Sequence, residues 1–204
     1  MINTGISKVL FLREEYGDGQ GAFVYSKRNK YEGNWKDGLR DGFGVHTLPD
    51  RSKYVGQHKK GQRHGKGTEI LKNGEKYSGN WKDGTREGKG IYTWPSGSKY
   101  VGEFKNWDLN GHGTFSFPDG GKYVGEFKDG EHHGIGVHTE SDGDRYEGQW
   151  KNGMPHGKGI HTQTNNDVYE GNWLKGSKHG QGIYTMKDLG EYEGQWRNSD
   201  MEGQ

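Results

Sequence analysis

The sequence predicts an all-β protein, an elongated single-layer antiparallel sheet of tandem 23-residue β-hairpin repeats. Three observations carry this reading. Tyrosine recurs at Tyr31, Tyr54, Tyr77, Tyr100, Tyr123, Tyr146, Tyr169 and Tyr192, every interval 23 residues, with no insertion or deletion. Glycine accounts for 39 of 204 residues, where about 7% is usual. Hydrophobic residues are only 26%, and half of that share is aromatic: 7 Trp, 12 Tyr and 7 Phe. Such a chain has too few aliphatic side chains to fill a core between two layers. It also has too many Trp and Tyr for a disordered chain.

The segments follow in order. Residues 1–30 read as a degenerate capping repeat. Counting back one period from Tyr31 reaches Lys8, and the segment keeps Gly19 and Gly21 but lacks the tyrosine and tryptophan. It is also more aliphatic (Val9, Phe11, Val24), as the end of a repeat array should be. Residues 31–191 hold seven full repeats, and 192–204 a partial eighth. The second strand of that last copy is expected to begin at Gly203. Residues 192–196 are therefore expected to form an unmatched edge strand, with Tyr192 and Trp196 offered to a partner or to a second copy.

Within a repeat, with the tyrosine as position one, Tyr-x-Gly-x-Trp alternates at period two and predicts the first strand. Position three is glycine in all eight copies. Position five is aromatic at Trp35, Trp81, Phe104, Phe127, Trp150, Trp173 and Trp196, with His58 the exception. A Lys-Asp-Gly type turn follows, its glycine replaced only by Trp107 and Ser199. Gly-x-Gly-Val/Ile-x-Thr predicts the second strand. It supplies glycines twelve and fourteen: Gly42 and Gly44, Gly65 and Gly67, Gly88 and Gly90, Gly111 and Gly113, Gly134 and Gly136, Gly157 and Gly159, Gly180 and Gly182. A second turn closes the unit, with Pro49, Pro95 and Pro118 where no N–H is needed. A helix would lack its 3.6-residue period and carry several glycines at about 1 kcal/mol each.

Alternation puts the tyrosine, glycine three and the position-five ring on one face. An odd hairpin register adds glycines twelve and fourteen to that face, so that the rings lie over rows of bare backbone. Each ring buries ~150–250 Å², worth several kcal/mol per repeat as an upper bound at ~25 cal/mol/Å². The other face carries a lysine ladder at position six (Lys36, Lys59, Lys82, Lys105, Lys128, Lys151), diluted by Glu32, Glu103, Glu126, Glu147, Glu170 and Glu193. It reads as a solvated face.

Net charge is +1 and there is no cysteine. That leaves no global field toward nucleic acid or anionic membrane, and no thiolate chemistry. The longest N-terminal apolar run, Val9, Leu10, Phe11 and Leu12, is too short for a membrane span, so a soluble intracellular protein is expected. The recurrent Gly-x-Gly lacks the Lys-Ser/Thr of a phosphate loop. His64, His133, His156 and His179 share position eleven, but lie ~9.5 Å apart across a sheet, too far to ligate one zinc. No singular carboxylate pair stands out. No catalytic residue, cofactor or metal site is expected, and nucleic acid is disfavoured because rings and lysines fall on opposite faces.

One stretch departs from the pattern. Positions sixteen and eighteen become aromatic at Tyr92, Trp94, Phe115 and Phe117, and Trp107 is expected beside them. Clustered exposed aromatics suggest an anchor for a partner. The alternative is that they complete packing within the sheet.

The chain resembles the MORN repeat family at Tyr-Glu-Gly-Asn-Trp-Lys-Asp-Gly (31–38), at Tyr-Glu-Gly-Gln-Trp-Lys-Asn-Gly-Met-Pro-His-Gly-Lys-Gly (146–159) and at 169–173. The resemblance is clear over 31–203 and weak over 8–30. It implies a non-enzymatic scaffold or protein-interaction module in a cytoskeletal assembly. The expected setting is a ciliary axoneme, as in radial-spoke head components, in the cytoplasm, with other proteins of that complex as partners. The alternative is a peripheral membrane or phosphoinositide-binding module. It would use the lysine ladder with Arg40, Arg63, Arg86 and Lys178 as loop cations, although Met1-Ile2 and the lack of cysteine leave no lipidation signal. His58, Trp107 and the shortened last copy depart from the family pattern.

Overall fold

The structure is a computed structural model and describes residues 18–202. The expectations for Val9, Phe11 and Gly203 lie outside them. Among the described residues there is no helix, and 17 strands form a single open antiparallel sheet. Every pairing described joins strands consecutive in sequence. The chain divides into two units, Met1–Glu87 and Gly88–Gln204. The first holds β1 (Gly19–Ser26), β2 (Asn29–Lys36), β3 (Leu39–Thr47), β4 (Lys53–Lys59), β5 (Gln62–Ile70), β6 (Lys76–Lys82) and the start of β7 (Thr85–Thr93). The second holds the rest of β7, then β8 (Lys99–Lys105), β9 (Asp108–Ser116), β10 (Lys122–Lys128), β11 (Glu131–Thr139) and β12 (Arg145–Lys151). It continues through β13 (Met154–Thr162), β14 (Val168–Leu174), β15 (Ser177–Met186), β16 (Gly190–Arg197) and β17 (Asp200–Glu202).

The first turn of each repeat has two residues, both with positive φ: Asp37 and Gly38 at 49° and 71°, Asp83 and Gly84 at 47° and 87°. This is the type I′ hairpin turn, whose twist matches that of the strands, hence Asp-Gly and Asn-Gly. Trp107 at 80° and Ser199 at 74° adopt the same conformation without the glycine. Because the turn is this tight, the second strand starts at position nine, three residues before the glycine that was expected to open it. The last copy therefore has a second strand. β17 pairs with β16 through Gln195–Glu202, Trp196–Met201 and Arg197–Asp200. The Tyr192 hydroxyl donates to the Glu202 carbonyl at 3.0 Å. Residues 195–197 are thus matched, which corrects the expected bare edge.

The two glycine rows do different work, contrary to the expectation that both lie under the rings. In the β2–β3 hairpin Gly33 faces Gly44 and Trp35 faces Arg40, so one residue of β2 spans three of β3. That bulge is turned by Gly42, whose φ is 90°. A Cβ there would meet the Asn34 side chain at 2.8 Å, on the face away from the rings. Glycine fourteen is the one beneath the tyrosine: a Cβ on Gly44 would collide with the Tyr31 ring. Glycine three shares that ceiling, since a Cβ on Gly33 would lie 2.6 Å from the Tyr31 hydroxyl.

The core is a single layer of rings. Tyr31, Tyr54, Tyr77, Tyr100, Tyr123 and Tyr169 are fully buried. Each donates its hydroxyl to the carbonyl three residues on, as Tyr31 to Asn34 at 3.0 Å and Tyr77 to Asn80 at 2.7 Å. Burial first, and then nearby acidic groups such as Asp41 and Glu87, push the phenols upward, Tyr31 and Tyr77 to about 12. The tryptophans donate Nε1–H backward to the position-fourteen carbonyl of the preceding repeat: Trp35 to Gly21, Trp81 to Gly67, Trp150 to Gly136, Trp173 to Gly159 and Trp196 to Gly182, all at 3.1–3.2 Å. Within each unit the rings meet edge-to-face in an unbroken zigzag. In the first unit Tyr31–His58, His58–Tyr54 and Tyr54–Trp81 centroids are 5.0, 5.0 and 5.1 Å apart. In the second, Tyr100–Phe127, Tyr123–Trp150 and Tyr146–Trp173 are 4.9, 5.2 and 5.0 Å apart.

Candidate interaction surface

The second strand of each repeat carries position sixteen opposite the next tyrosine, and position eighteen opens the following turn. In the second unit this places four aromatic side chains in one row. Tyr92 lies across from Tyr100, and Phe115 lies between Tyr100 and Tyr123. Trp94 and Phe117 head their turns, each donating its N–H to the carbonyl four residues on, Ser98 and Gly121. The rings then step from Tyr92 to Trp94, Phe115, Phe117 and His138 at 4.4, 5.3, 4.7 and 5.5 Å. Tyr92 is buried, whereas Trp94, Phe115 and Phe117 are half-buried and open on one side.

Trp107 is not part of this row. It occupies the turn at the start of β9 and Phe117 lies past its end, a strand of about 25–30 Å at ~3.4 Å per residue. Trp107 is 42% exposed at the opposite rim of the sheet. Trp196 is buried in the ring layer between Tyr169 and Tyr192, so it is a core residue rather than a free contact. Tyr192 is half-buried at the end of the same ladder.

The cations expected in loops lie on strands and on the ring face. Arg40 sits over Tyr31 at 5.7 Å, and Arg63 over both Tyr54 and Trp81 at 5.0 Å. Arg86 sits over Tyr77 at 5.1 Å, and Lys178 over Tyr169, Tyr184 and Trp196 at 4.5–5.1 Å. Arg63 and Arg86 also clamp the two oxygens of buried Glu69, at 2.6 and 2.9 Å. Burial lowers the Lys178 pKa. These contacts extend the ring layer by a cation–π stratum, and they take these four cations away from the face that carries the lysine ladder. The recurrence of Arg, Arg, Arg and Lys at position ten, always across the hairpin from the position-five ring, was the sequence signal for it.

In the first unit position eleven ties the turn to the next repeat. Asp41 accepts the Lys60 N–H at 3.1 Å, and His64 Nδ1 lies 3.5 Å from Asp83. Among the described residues no three His, Asp or Glu side chains converge as a metal would require. His46, His58 and His132 are held down to about 4, first by burial and then by nearby positive groups: Arg40 for His46 and His58, His138 for His132.

The MORN repeat model matches residues 31–53, 54–76, 77–99, 100–122, 123–145, 146–168, 169–190 and 192–204. The chain belongs to the MORN repeat family. That module is a non-catalytic repeat whose members mediate interactions with proteins or membranes. No curated protein sequence matches the chain. Among solved structures, the MORN array is similar to the SAS-4 TCP domain of Drosophila melanogaster in complex with a proline-rich motif of Ana2. That likeness has 10% identity and a TM-score of 0.47, over 92% of this chain and 97% of the other. The TCP10c domain of D. melanogaster Sas-4 is similar at 10% identity and a TM-score of 0.43, over 77% and 94% of the two chains. The TCP10 domain of Danio rerio CPAP is similar at 11% and 0.41, over 82% and 84%.

Proposed function

We propose that this MORN array is a non-enzymatic scaffold that docks partner proteins of a cytoskeletal assembly, in the first place a ciliary axoneme, through the row Trp94, Phe115 and Phe117. The observation that carries it is the open side of that row. Elsewhere on the ring face position eighteen is Tyr25, Leu48, Leu71, Glu140, Gln163 or Met186, and among the described residues only Trp94 and Phe117 place half-buried aromatic rings there in two successive repeats, joined through Phe115. Aromatic anchors of this kind dominate protein interfaces. The axonemal setting is supported by the resemblance of the repeats to those of radial-spoke components. The membrane reading retains the lysine ladder, since Arg40, Arg63, Arg86 and Lys178 are engaged with rings.

The test is site-specific photo-crosslinking from position 94, with position 174 on the opposite face as control, in ciliated cells expressing the tagged chain. The reading expects one axonemal protein captured from position 94 and lost with Phe117→Ser, while far-UV spectra stay strand-like. Equal capture from both positions, or a tagged chain spread evenly through the cytosol, overturns it.

A further inference from the structure

The face away from the rings carries a second pattern. Directly paired residues of an antiparallel sheet project to the same side. Pairing links Glu147 to Ile160, Ile160 to Glu170, Glu170 to Ile183 and Ile183 to Glu193, which makes one straight rail across β12 to β16. Beside it runs an open trough, floored by the position-three and position-fourteen glycines and lined by all five of these residues together with Lys158. The trough therefore combines alternating carboxylates and isoleucines with a formal charge of three acids against one lysine. The corresponding rail in the first unit, Glu32, Val45, Val55, Thr68 and Ser78, has one acid only.

The spacing selects the occupant. Successive glutamates stand two strands apart, ~9.6 Å at ~4.8 Å per strand. A polyproline II helix advances ~3.1 Å per residue with three residues per turn, so every third side chain returns to the same side after ~9.3 Å. An extended strand returns a side chain to one side every ~6.8 Å, out of step with the rail. An α-helix returns near ~10.5 Å and is ~10 Å across, too wide to settle between rows of side chains on one sheet. The carboxylates accept guanidinium in this place: Arg145 already reaches Glu147 at 2.6 Å, in an ion pair exposed on both sides. Such pairs are cheap to exchange. Among the described residues no ion pair engages Glu170 or Glu193.

We infer that this trough takes a polyproline II segment of a partner protein bearing arginine at every third position. Its arginines pair with Glu147, Glu170 and Glu193, their methylene stems lying along Ile160 and Ile183, while the intervening prolines hold the polyproline II register. The site does not depend on the aromatic row, which faces the other way.

The test uses the full chain and two nine-residue fluorescent peptides of identical composition: Arg-Pro-Pro three times over, and three arginines followed by six prolines. Anisotropy is expected to show saturable binding of the periodic peptide, about fivefold tighter than the clustered one. The double variant Glu170→Gln/Glu193→Gln is expected to lose about fivefold for the periodic peptide while far-UV spectra stay unchanged. Amide shifts on binding should centre on Ile160 and Ile183. Equal affinity for the two peptides, no saturable binding below millimolar concentration, an unaffected double variant, or shifts centred on Trp94 and Phe117 would each overturn the inference.

Discussion

A glycine in this chain answers one of two physical demands, and substitutions separate them. Gly113 lies under the Tyr100 ring with no room for a Cβ. Gly113→Ala must lift that ring off the backbone and is expected to cost about 1–3 kcal/mol through overpacking. Gly111 turns the bulge at φ 59°. Gly111→Ala is expected to cost about 1–2 kcal/mol, the penalty of left-handed backbone for an L residue. Its Cβ would also press the Glu103 side chain, which is free to swing outward. Lys105→Ala, on the solvated ladder, should stay within about 0.5 kcal/mol. Urea unfolding of the three variants checks the order. Trp107 makes the opposite case: it holds φ 80° where every other repeat but one has glycine. Trp107→Gly is therefore expected to raise stability by about 1 kcal/mol, measured the same way.

The hairpin is the element at which charge enters the packing. His58 sits where other repeats have an aromatic ring, is 4% exposed, and has its pKa held down to about 4 by burial and by Arg40. Its unfolded value is ~6.5, so the unfolded chain takes up the proton first as pH falls. The stability contributed by keeping this ring neutral is whole above ~6.5 and drains away as pH drops through about 4. His46 and His132 follow the same sign. Unfolding free energy measured at pH 7 and pH 4.5 should fall in the native chain. The fall is expected to be about 1–2 kcal/mol smaller in His58→Phe, which keeps an edge-to-face ring without a titrating group.

At the scale of the whole molecule, the repeats interact as neighbours. Tryptophan bonds to the glycine carbonyl of the repeat before it, and in six repeats the turn N–H at position eight bonds to the position-ten carbonyl of that same preceding repeat, as Gly61 to Arg40 and Gly153 to His132. Nearest-neighbour coupling of this kind makes a repeat removable. Deletion of residues 123–145 joins Lys122 to Tyr146 in register. The shortened chain is expected to fold cooperatively, with a denaturant m-value lower by about one tenth, in proportion to the surface it no longer buries. Loss of the cooperative transition would mean that the repeats depend on contacts beyond their neighbours.

The period, the strand-turn-strand order and the single layer were legible in the sequence, because they depend on local rules repeated eight times over. Alternation placed tyrosine and tryptophan on one face, and Asp-Gly marked the turn. What the sequence left open depends on register. Whether glycine twelve shares a face with glycine fourteen is settled by a bulge that no composition reveals. The same register brings the second strand forward to position nine, gives the last copy its β17, and sets Arg40, Arg63, Arg86 and Lys178 over rings rather than in loops. The candidate surface shows the same division. That Trp94, Phe115 and Phe117 form a row followed from their shared positions in the repeat. That Trp107 stands a strand's length away, and that Glu147, Glu170 and Glu193 line up with isoleucines between them, was decided by cross-strand pairing. Pairing is a relation between residues up to 17 apart in the chain, and only the tertiary structure states it.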